Sequence, residues 1–249
     1  MRNLILPCLV LAFACSSDDS PQTPSSFCES WAEAACSEQT RSACAAADAN
    51  QCQASQISFC LTKIPAQGFS GTKSDQCIDA VRAAYSDADL TASELRTVLL
   101  LEAPCDQLVT GPKDKGEACT SRLDCDAPEG YDCVFKGDAA TGTCQVPKRV
   151  GAGLDCSAVE AVCDEGFYCN GDNCIGGEGI GELCATDEQC GTDAYCTAAG
   201  LCAERLPVES TCTLDEQCES GLCYEFPTGR VCTDRLRLSR SEPICNDLR

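Results

Sequence analysis

Apolar residues recur at the spacing of one helix face in four segments between residues 26 and 105. The four sets are Phe27, Trp31 and Ala34; Ile57, Leu61 and Ile64; Ile78, Val81 and Tyr85; and Leu95, Val98 and Leu99. The predicted caps are the capping boxes of Ser26 with Glu29 and of Thr91 with Glu94, Thr72 with Asp75, and Asn50 alone. The pattern predicts three or four short helices that pack as a small bundle.

From residue 116 onward the helical pattern is replaced by a cysteine repeat. Each of four units opens with two cysteines that are separated by five or six other residues. Each unit then carries a third and a fourth cysteine. The sixteen cysteines are Cys119, Cys125, Cys133 and Cys144; Cys156, Cys163, Cys169 and Cys174; Cys184, Cys190, Cys196 and Cys202; and Cys212, Cys218, Cys223 and Cys232. The openings of the last two units, CATDEQC and CTLDEQC, are nearly identical.

These units are predicted to be irregular and rich in β-turns, because glycine, aspartate and asparagine punctuate them. An aromatic or apolar residue lies just before the third cysteine of each unit and is predicted to be its one sizeable core residue. These residues are Tyr131, Phe167 with Tyr168, Tyr195 and Leu222. The predicted fold is therefore small and disulfide-rich, with an N-terminal α-helical bundle followed by an array of four cysteine-rich repeats.

The chain has 26 cysteines among 249 residues, a density typical of disulfide scaffolds and hard to reconcile with a reducing cytosol. A unit of fewer than about 40 residues buries too little apolar surface to fold alone. Two disulfides in each unit, worth roughly 3 kcal/mol apiece, supply the missing stability. Four cysteines allow three pairings, and the sequence does not choose among them.

Seven more cysteines lie in the helical segment, and the first five are spaced eight residues apart. They are Cys28, Cys36, Cys44, Cys52, Cys60, Cys77 and Cys105. Seven cysteines here and seventeen in residues 119–245 are both odd counts, so complete pairing requires a disulfide between the two regions. We expect Cys245 or a cysteine of the first repeat to pair with the bundle, and Cys105 is the nearest candidate. One unpaired cysteine in each region, or an intermolecular bridge, is the alternative.

The first fourteen residues, MRNLILPCLVLAFA, have the layout of an export signal: Arg2, an apolar run, and small Ala14 before Cys15. The run of about ten apolar residues is too short for a membrane anchor, so we expect the segment to be removed. A polar stretch that contains proline follows and is typical of a tether.

The sequence LAFAC at residues 11–15 resembles the lipobox of bacterial lipoproteins, in which the cysteine carries lipid and becomes the N-terminus. Here the leucine lies four places before Cys15, whereas lipoboxes usually have it three places before. Removal of Cys8 with the signal and lipidation of Cys15 leave 26 − 2 = 24 cysteines, an even number. The resemblance, with Ser16 after the cysteine, implies an outer-membrane anchor. Ordinary cleavage and a secreted product is the alternative.

Charge and composition exclude several chemistries. The chain has 18 basic and 39 acidic residues, and its formal charge of −21 disfavours nucleic acids and anionic membranes as partners. It has no histidine, which removes the common catalytic triads and imidazole metal ligands. It also has no C-x-x-C motif, so thiolate metal sites and thioredoxin-like redox chemistry are disfavoured. We therefore predict no cofactor, no metal and no enzymatic activity.

Calcium is the remaining candidate, because Asp87, Asp89 and Thr91 begin like an EF-hand loop. However, Ala92 stands where that loop needs glycine, and Val98 stands where it needs a bidentate glutamate. Thr91 is better interpreted as a helix cap. Further candidate calcium ligands in turns are Asp172, Asp187 and Asp193, although no spacing between them requires calcium.

The repeats resemble the Dickkopf N-terminal cysteine-rich family over roughly residues 116–245. The segment CDEGFYC at residues 163–169 carries this resemblance best, and the closely spaced cysteine pairs of animal members are missing. We do not carry the animal function over to a chain with a bacterial lipoprotein signal. The whole layout resembles cysteine-rich envelope lipoproteins of Gram-negative bacteria.

The predicted organisation is a signal peptide (1–14), a tether (15–25), a cysteine-rich helical domain (26–105), a linker (106–115) and the repeat array with a C-terminal tail (116–249). The sequence favours a non-catalytic envelope lipoprotein that acts as a surface interaction or adhesion module with an unidentified partner. A secreted inhibitor or toxin-like module that acts on an external partner is the alternative.

Overall fold

Five α-helices lie within the first hundred residues of the computed structural model, which describes residues 23–64, 68–136 and 139–249. The helices are α1 (Pro24–Ala35), α2 (Glu38–Cys44), α3 (Ala49–Lys63), α4 (Ser74–Ala84) and α5 (Ala92–Leu100). The predicted signal peptide, Cys15 and most of the tether lie outside the described residues. Within those residues, no helix is long and apolar enough to cross a membrane.

Side-chain caps determine where these helices begin. The predicted capping box at α5 is confirmed, since Thr91 and Glu94 each accept a hydrogen bond from the other's backbone N–H. The predicted cap at Ser26 is wrong, because α1 begins earlier, with Thr23 as its N-cap and Pro24 in its first turn. Proline is favoured there because its missing N–H would have no partner in the helix. Ser26 instead completes the capping box from within the helix.

The other predicted caps are also displaced. Asp48, rather than Asn50, caps α3 by accepting a hydrogen bond from the backbone N–H of Gln51 at 2.8 Å. A 3₁₀ turn at Gly71–Lys73 precedes α4, so Thr72 lies before that helix instead of capping it. Helix α2 was not predicted from the apolar pattern, because it is only seven residues long and buries just two side chains.

Thirteen short strands and several 3₁₀ turns make up the rest of the regular structure of the described residues. The strands are β1 (Asp89–Thr91), β2 (Ala118–Cys119), β3 (Asp132–Val134), β4 (Gly142–Gln145), β5 (Lys148–Val150), β6 (Ala161–Cys163), β7 (Phe167–Cys169), β8 (Cys174–Gly176), β9 (Ala194–Cys196), β10 (Cys202–Glu204), β11 (Cys223–Phe226), β12 (Gly229–Cys232) and β13 (Arg235–Arg237). Each repeat contains one antiparallel hairpin: β3–β4, β7–β8, β9–β10 and β11–β12. The prediction of a small disulfide-rich fold is confirmed.

The largest hydrophobic core lies among the helices, where Phe27, Trp31, Tyr85, Leu90 and Leu95 are fully or almost fully buried. The C-terminal segment (residues 233–249) contributes to the same core through a group of buried apolar residues. These are Leu236, Leu238, Ile244, Cys245 and Leu248. The end of the chain, predicted as a tail of the repeat array, therefore packs with the helices.

Hydrogen bonds hold the C-terminal segment in place. Strand β13 pairs antiparallel with β1, which directly precedes α5. Buried Gln56 of α3 accepts a hydrogen bond from the indole N–H of Trp31 at 3.0 Å and donates one to the backbone carbonyl of Asp247 at 2.7 Å. A single side chain thus satisfies two polar groups that would otherwise be costly to bury.

Candidate interaction surface on the repeat array

The described residues contain twelve disulfides, which include every predicted repeat cysteine. Each repeat uses one pairing, the first cysteine with the third and the second with the fourth. The pairs are Cys119–Cys133 and Cys125–Cys144; Cys156–Cys169 and Cys163–Cys174; Cys184–Cys196 and Cys190–Cys202; and Cys212–Cys223 and Cys218–Cys232. This number of disulfides indicates an exported protein, because they persist in oxidising compartments.

The disulfides themselves form the interior of each repeat, where they make up most of the buried cluster. The aromatic residues predicted as repeat cores are less buried than expected. Tyr131, Phe167, Tyr168 and Tyr195 are only partly buried. Leu222 is buried, but it packs into the helical core instead of its own repeat. Covalent links therefore replace the apolar core in units this small.

The near-identical openings of repeats 3 and 4 are explained by backbone hydrogen bonds. Asp187 and Asp215 each accept a hydrogen bond from the backbone N–H of the third cysteine in the same repeat, at 2.6 and 2.7 Å. Gln189 and Gln217 accept from the N–H of the residue that follows the first cysteine. The shared Asp and Gln residues thus stabilise the turns of the repeat by accepting backbone hydrogen bonds. Asp187, considered above as a calcium ligand, has this structural role.

A left-handed residue lies three places before the first cysteine of every repeat. It is Gly116, Gly153 or Gly181 in the first three repeats, with φ of 91°, 71° and 87°, and Glu209 in the fourth, with φ of 70°. In each repeat this residue donates its N–H to the carbonyl of the fourth cysteine. Glycine adopts this conformation at little steric cost, whereas a residue with a Cβ is strained there.

We expect Glu209→Gly to raise the free energy of unfolding by about 0.5–1 kcal/mol. The substitution removes a left-handed strain of roughly 1–2 kcal/mol, partly offset by the greater freedom of glycine in the unfolded chain. Guanidinium unfolding of the oxidised protein measures the effect. The matched control, Gly181→Glu, places the same strain in repeat 3 and should lower stability. Destabilisation by Glu209→Gly would contradict the prediction.

Both ends of the array are attached to the helices. At the first end, Leu108 of the predicted linker is fully buried in the helical core, and Arg122 of repeat 1 pairs with Asp106. At the other end, Tyr224 of repeat 4 is buried in that core, and Arg96 of α5 donates to the carbonyl of Ser220 at 2.9 Å. The array is therefore fixed to the helical domain at two points.

Neighbouring repeats are joined by polar contacts. Lys136 of repeat 1 donates to the carbonyls of Cys156 and Ala161 in repeat 2, at 2.9 and 2.6 Å. Loss of hydration lowers the pKa of Lys136, against the attraction of nearby carboxylates. The hydroxyl of Tyr168 donates to Glu178 at 2.8 Å, between repeats 2 and 3, and this bond raises the pKa of Tyr168.

In the described part of the chain a single disulfide, Cys44–Cys245, joins the two regions, so the predicted crossing disulfide is present. Its helical partner is Cys44, because Cys105 pairs with Cys77 inside the helical region. The remaining helical cysteines form Cys28–Cys60 and Cys36–Cys52. Both crossing cysteines are fully buried, which places this link inside the core.

A cleft of about 280 Å³ lies between α5, the hairpin of repeat 4 and the C-terminal segment. Its walls are mainly apolar, with Leu100, Tyr224 and Pro243 among them. Arg230 in this cleft donates to two backbone carbonyls, and Asp215 accepts a backbone N–H, so both stabilise the fold. Burial raises the pKa of Asp247, which lies between this cleft and a shallow groove along α3.

Three cysteine sulfurs in each repeat lie within 4.8 Å of one another, the separation expected of metal ligands. Each of these sulfurs is in a disulfide and is therefore not a thiolate, the form that binds metals. In the segment that resembles an EF-hand, Val98 is fully buried, Thr91 caps α5, and Asp89 pairs with Arg235 at 3.3 Å. The structure thus assigns a structural task to each of these residues.

An exposed apolar pair on repeat 3 was not among the predicted sites. Leu183 and Leu201 are paired across an antiparallel bridge, and they are 78 % and 39 % exposed. Directly opposite residues of such a bridge have side chains on the same face. Aligning the repeats on their first and fourth cysteines would have identified the pair, since each leucine directly precedes one of them.

Comparison of the chain with protein-family models, curated proteins and solved structures finds no match. The functional interpretation therefore rests on the chain's own residues: an exported, disulfide-rich protein whose repeat array is held at both ends by a helical domain.

Proposed function

We propose that this protein is a non-catalytic lipoprotein of the cell envelope, anchored through lipid on Cys15, whose repeat array serves as a surface for protein contacts. The observation that carries the proposal is the array itself, whose shape is held by two disulfides in every repeat and by attachment at both ends. A preorganised surface loses little conformational entropy when it binds a partner. Several large apolar side chains of the array remain exposed, as at protein interaction sites.

The anchor part of the proposal is supported by the export signal, the polar tether and the even number of cysteines that remains after Cys15. All 24 cysteines from Cys28 to Cys245 are paired, so a thiol at Cys15 would have no partner in the described part of the chain. The resemblance to bacterial lipoproteins further favours the outer membrane. We also infer that the repeats are related to the Dickkopf N-terminal cysteine-rich family, on the basis of cysteine spacing.

We expect Cys15→Ser to release the protein from the membrane fraction, or to leave its signal unprocessed, because serine has no thiol to accept lipid. Fractionation of cells that express the wild type and the variant measures the shift. Cys8→Ser is the matched control, since this residue leaves with the signal, and its distribution should equal that of the wild type. A wild-type protein found in the medium would favour the secreted inhibitor instead.

The interaction part of the proposal is tested by cross-linking on intact cells, followed by mass spectrometry of the linked peptides. We expect cross-links that map to the array, at carboxylate side chains, to one recurrent partner. Cross-links confined to the helical domain would contradict a role for the array.

A further inference from the structure

The exposed leucine pair of repeat 3 is not required by the repeat fold. The other three repeats form the same bridge between the same two positions and always place at least one polar residue there. The equivalent pairs are Ala118 with Thr143, Asp155 with Asn173, and Thr211 with Val231. These repeats fold with the same disulfide pairing although each has a polar residue in at least one of these positions. The repeat fold therefore does not require leucine at either position.

The surroundings of the pair are strongly acidic. Residues 150–204, which include all of repeats 2 and 3, contain eleven Asp and Glu residues and no Lys or Arg. This stretch therefore carries −11 of the formal charge of −21. None of the four ion pairs among the described residues involves a carboxylate of this stretch. Of the cations near its ends, Arg149 and Arg205 donate hydrogen bonds to backbone carbonyls within the stretch, as does Lys136 of repeat 1.

We infer that the Leu183–Leu201 pair of repeat 3 docks a cationic protein segment in which apolar side chains alternate with lysine or arginine. This inference deepens the proposed interaction role and rests on it. The leucines offer apolar area. The carboxylates of residues 150–204, which form none of the ion pairs among the described residues and include Glu182 next to Leu183, attract a basic segment and orient it. A second copy of the chain would bring two acidic surfaces together, and an anionic membrane would be repelled.

The test uses Cys15→Ser protein from which the signal has been removed, and this protein keeps every residue that the structure describes. Three short labelled peptides are titrated by fluorescence anisotropy: alternating lysine and leucine, alternating lysine and serine, and alternating glutamate and leucine. We expect the lysine–leucine peptide to bind at least about tenfold more tightly than the other two, because it alone offers both charge and apolar area. Its affinity should fall as salt is raised, since exposed charges are screened.

Two variants locate the site. Leu183→Thr combined with Leu201→Asn uses residue types that other repeats hold at these positions, and we expect about tenfold weaker binding. Leu123→Thr is the control, because Leu123 is a 59 % exposed leucine of repeat 1 with no leucine opposite it; its affinity should equal that of the parent. Circular dichroism and thiol titration of both variants verify the fold and the disulfides.

Equal affinity of the double leucine variant, or equally tight binding of the glutamate–leucine peptide, would overturn the inference. So would a parent protein that dimerises or binds zwitterionic vesicles through the same leucines, since the occupant would then be a second copy or a lipid surface. Because the assay uses purified protein without an anchor, its failure leaves the cell cross-linking result standing. If the cross-linking on cells fails, the peptide binding can still be measured with the purified protein.

Discussion

Replacing both Cys44 and Cys245 by alanine is expected to lower the free energy of unfolding by about 4 kcal/mol, the largest effect of any single disulfide in this chain. The two residues are 201 positions apart, and the chain-entropy contribution of a disulfide grows with the loop that it closes. Other disulfides shorten the effective loop, but the slow logarithmic dependence removes little of the effect. Both sulfurs are also fully buried, so their loss leaves space in the helical core.

Trp31 reports this effect selectively, because it is the one tryptophan of the chain and lies in the helical core. Denaturant unfolding followed by its fluorescence should move to clearly lower denaturant in the Cys44→Ala, Cys245→Ala protein. The matched control replaces Cys163 and Cys174, which are 11 positions apart in repeat 2. That loss should open repeat 2 locally and leave the fluorescence transition almost unchanged. Equal shifts in the two proteins would contradict the prediction.

The same disulfide can be tested by cutting the chain. A protease site inserted at Lys115 divides the chain between the helical domain and repeat 1. Among the residues that the structure describes, Cys44–Cys245 is the one disulfide that crosses this point. On a denaturing gel, the cut protein should migrate as one species without reductant and as two species with reductant. The double alanine variant should give two species under both conditions. Two species from the cut wild type without reductant would show that this disulfide is absent.

The helices of the N-terminal region could largely be predicted from the sequence. Helical periodicity identified four of the five helices, and Trp31, Val81 and Leu95 lie on buried faces. The face predicted for α3 was wrong, because Leu61 is 44 % exposed and that helix buries Cys52, Gln56 and Cys60.

Helix starts were less accurate, because several residues near each start are able to cap and the choice depends on neighbours such as Pro24. The same Ser/Thr-x-x-Glu pattern correctly identified Thr91 but not Ser26, because α1 begins earlier, at Pro24 behind Thr23.

The position of the C-terminal segment could not be predicted from local pattern. Its apolar residues Ile244 and Leu248 are too few for periodicity, and their burial depends on contacts with helices about 200 residues earlier. Parity of the cysteine counts did indicate a link between the regions, because it is a global property of the sequence. Parity gives no geometry, so it could not distinguish Cys44 from Cys105.

Stability should also fall steeply in alkali, because two buried tyrosines resist ionisation in the folded protein. Burial is the main cause of the raised pKa of Tyr85, and Asp247 and Tyr224 add to it. Burial likewise raises the pKa of Tyr224 to about 12, with contributions from Glu242 and Asp247. The cause is physical: a phenolate loses its hydration in the core and meets carboxylates of the same sign.

The direction of the effect follows from proton linkage. Above about pH 10 the tyrosines ionise in the unfolded chain but keep their protons in the folded one, so raising the pH favours unfolding. The stabilisation is complete below about pH 10 and is lost as the pH approaches 12. In this window each tyrosine lowers the free energy of unfolding by about 1.4 kcal/mol for each pH unit of increase, and the two together lower it by about 2.7 kcal/mol for each pH unit.

Guanidinium unfolding at several pH values between about 9 and 11.5, with brief exposure to alkali, measures this slope. Tyr224→Phe keeps the buried ring and removes the ionisable hydroxyl. Among the described residues, the one hydrogen bond of this hydroxyl is a long one of 3.4 Å from the N–H of Ile244. In this variant the slope should fall by about one tyrosine's share, about 1.4 kcal/mol per pH unit. An absorbance titration of the folded protein should show the matching delay in phenolate formation. Stability that stays constant between about pH 10 and 11.5 would show that both tyrosines ionise in place, and that the C-terminal segment is less firmly packed over them than its burial indicates.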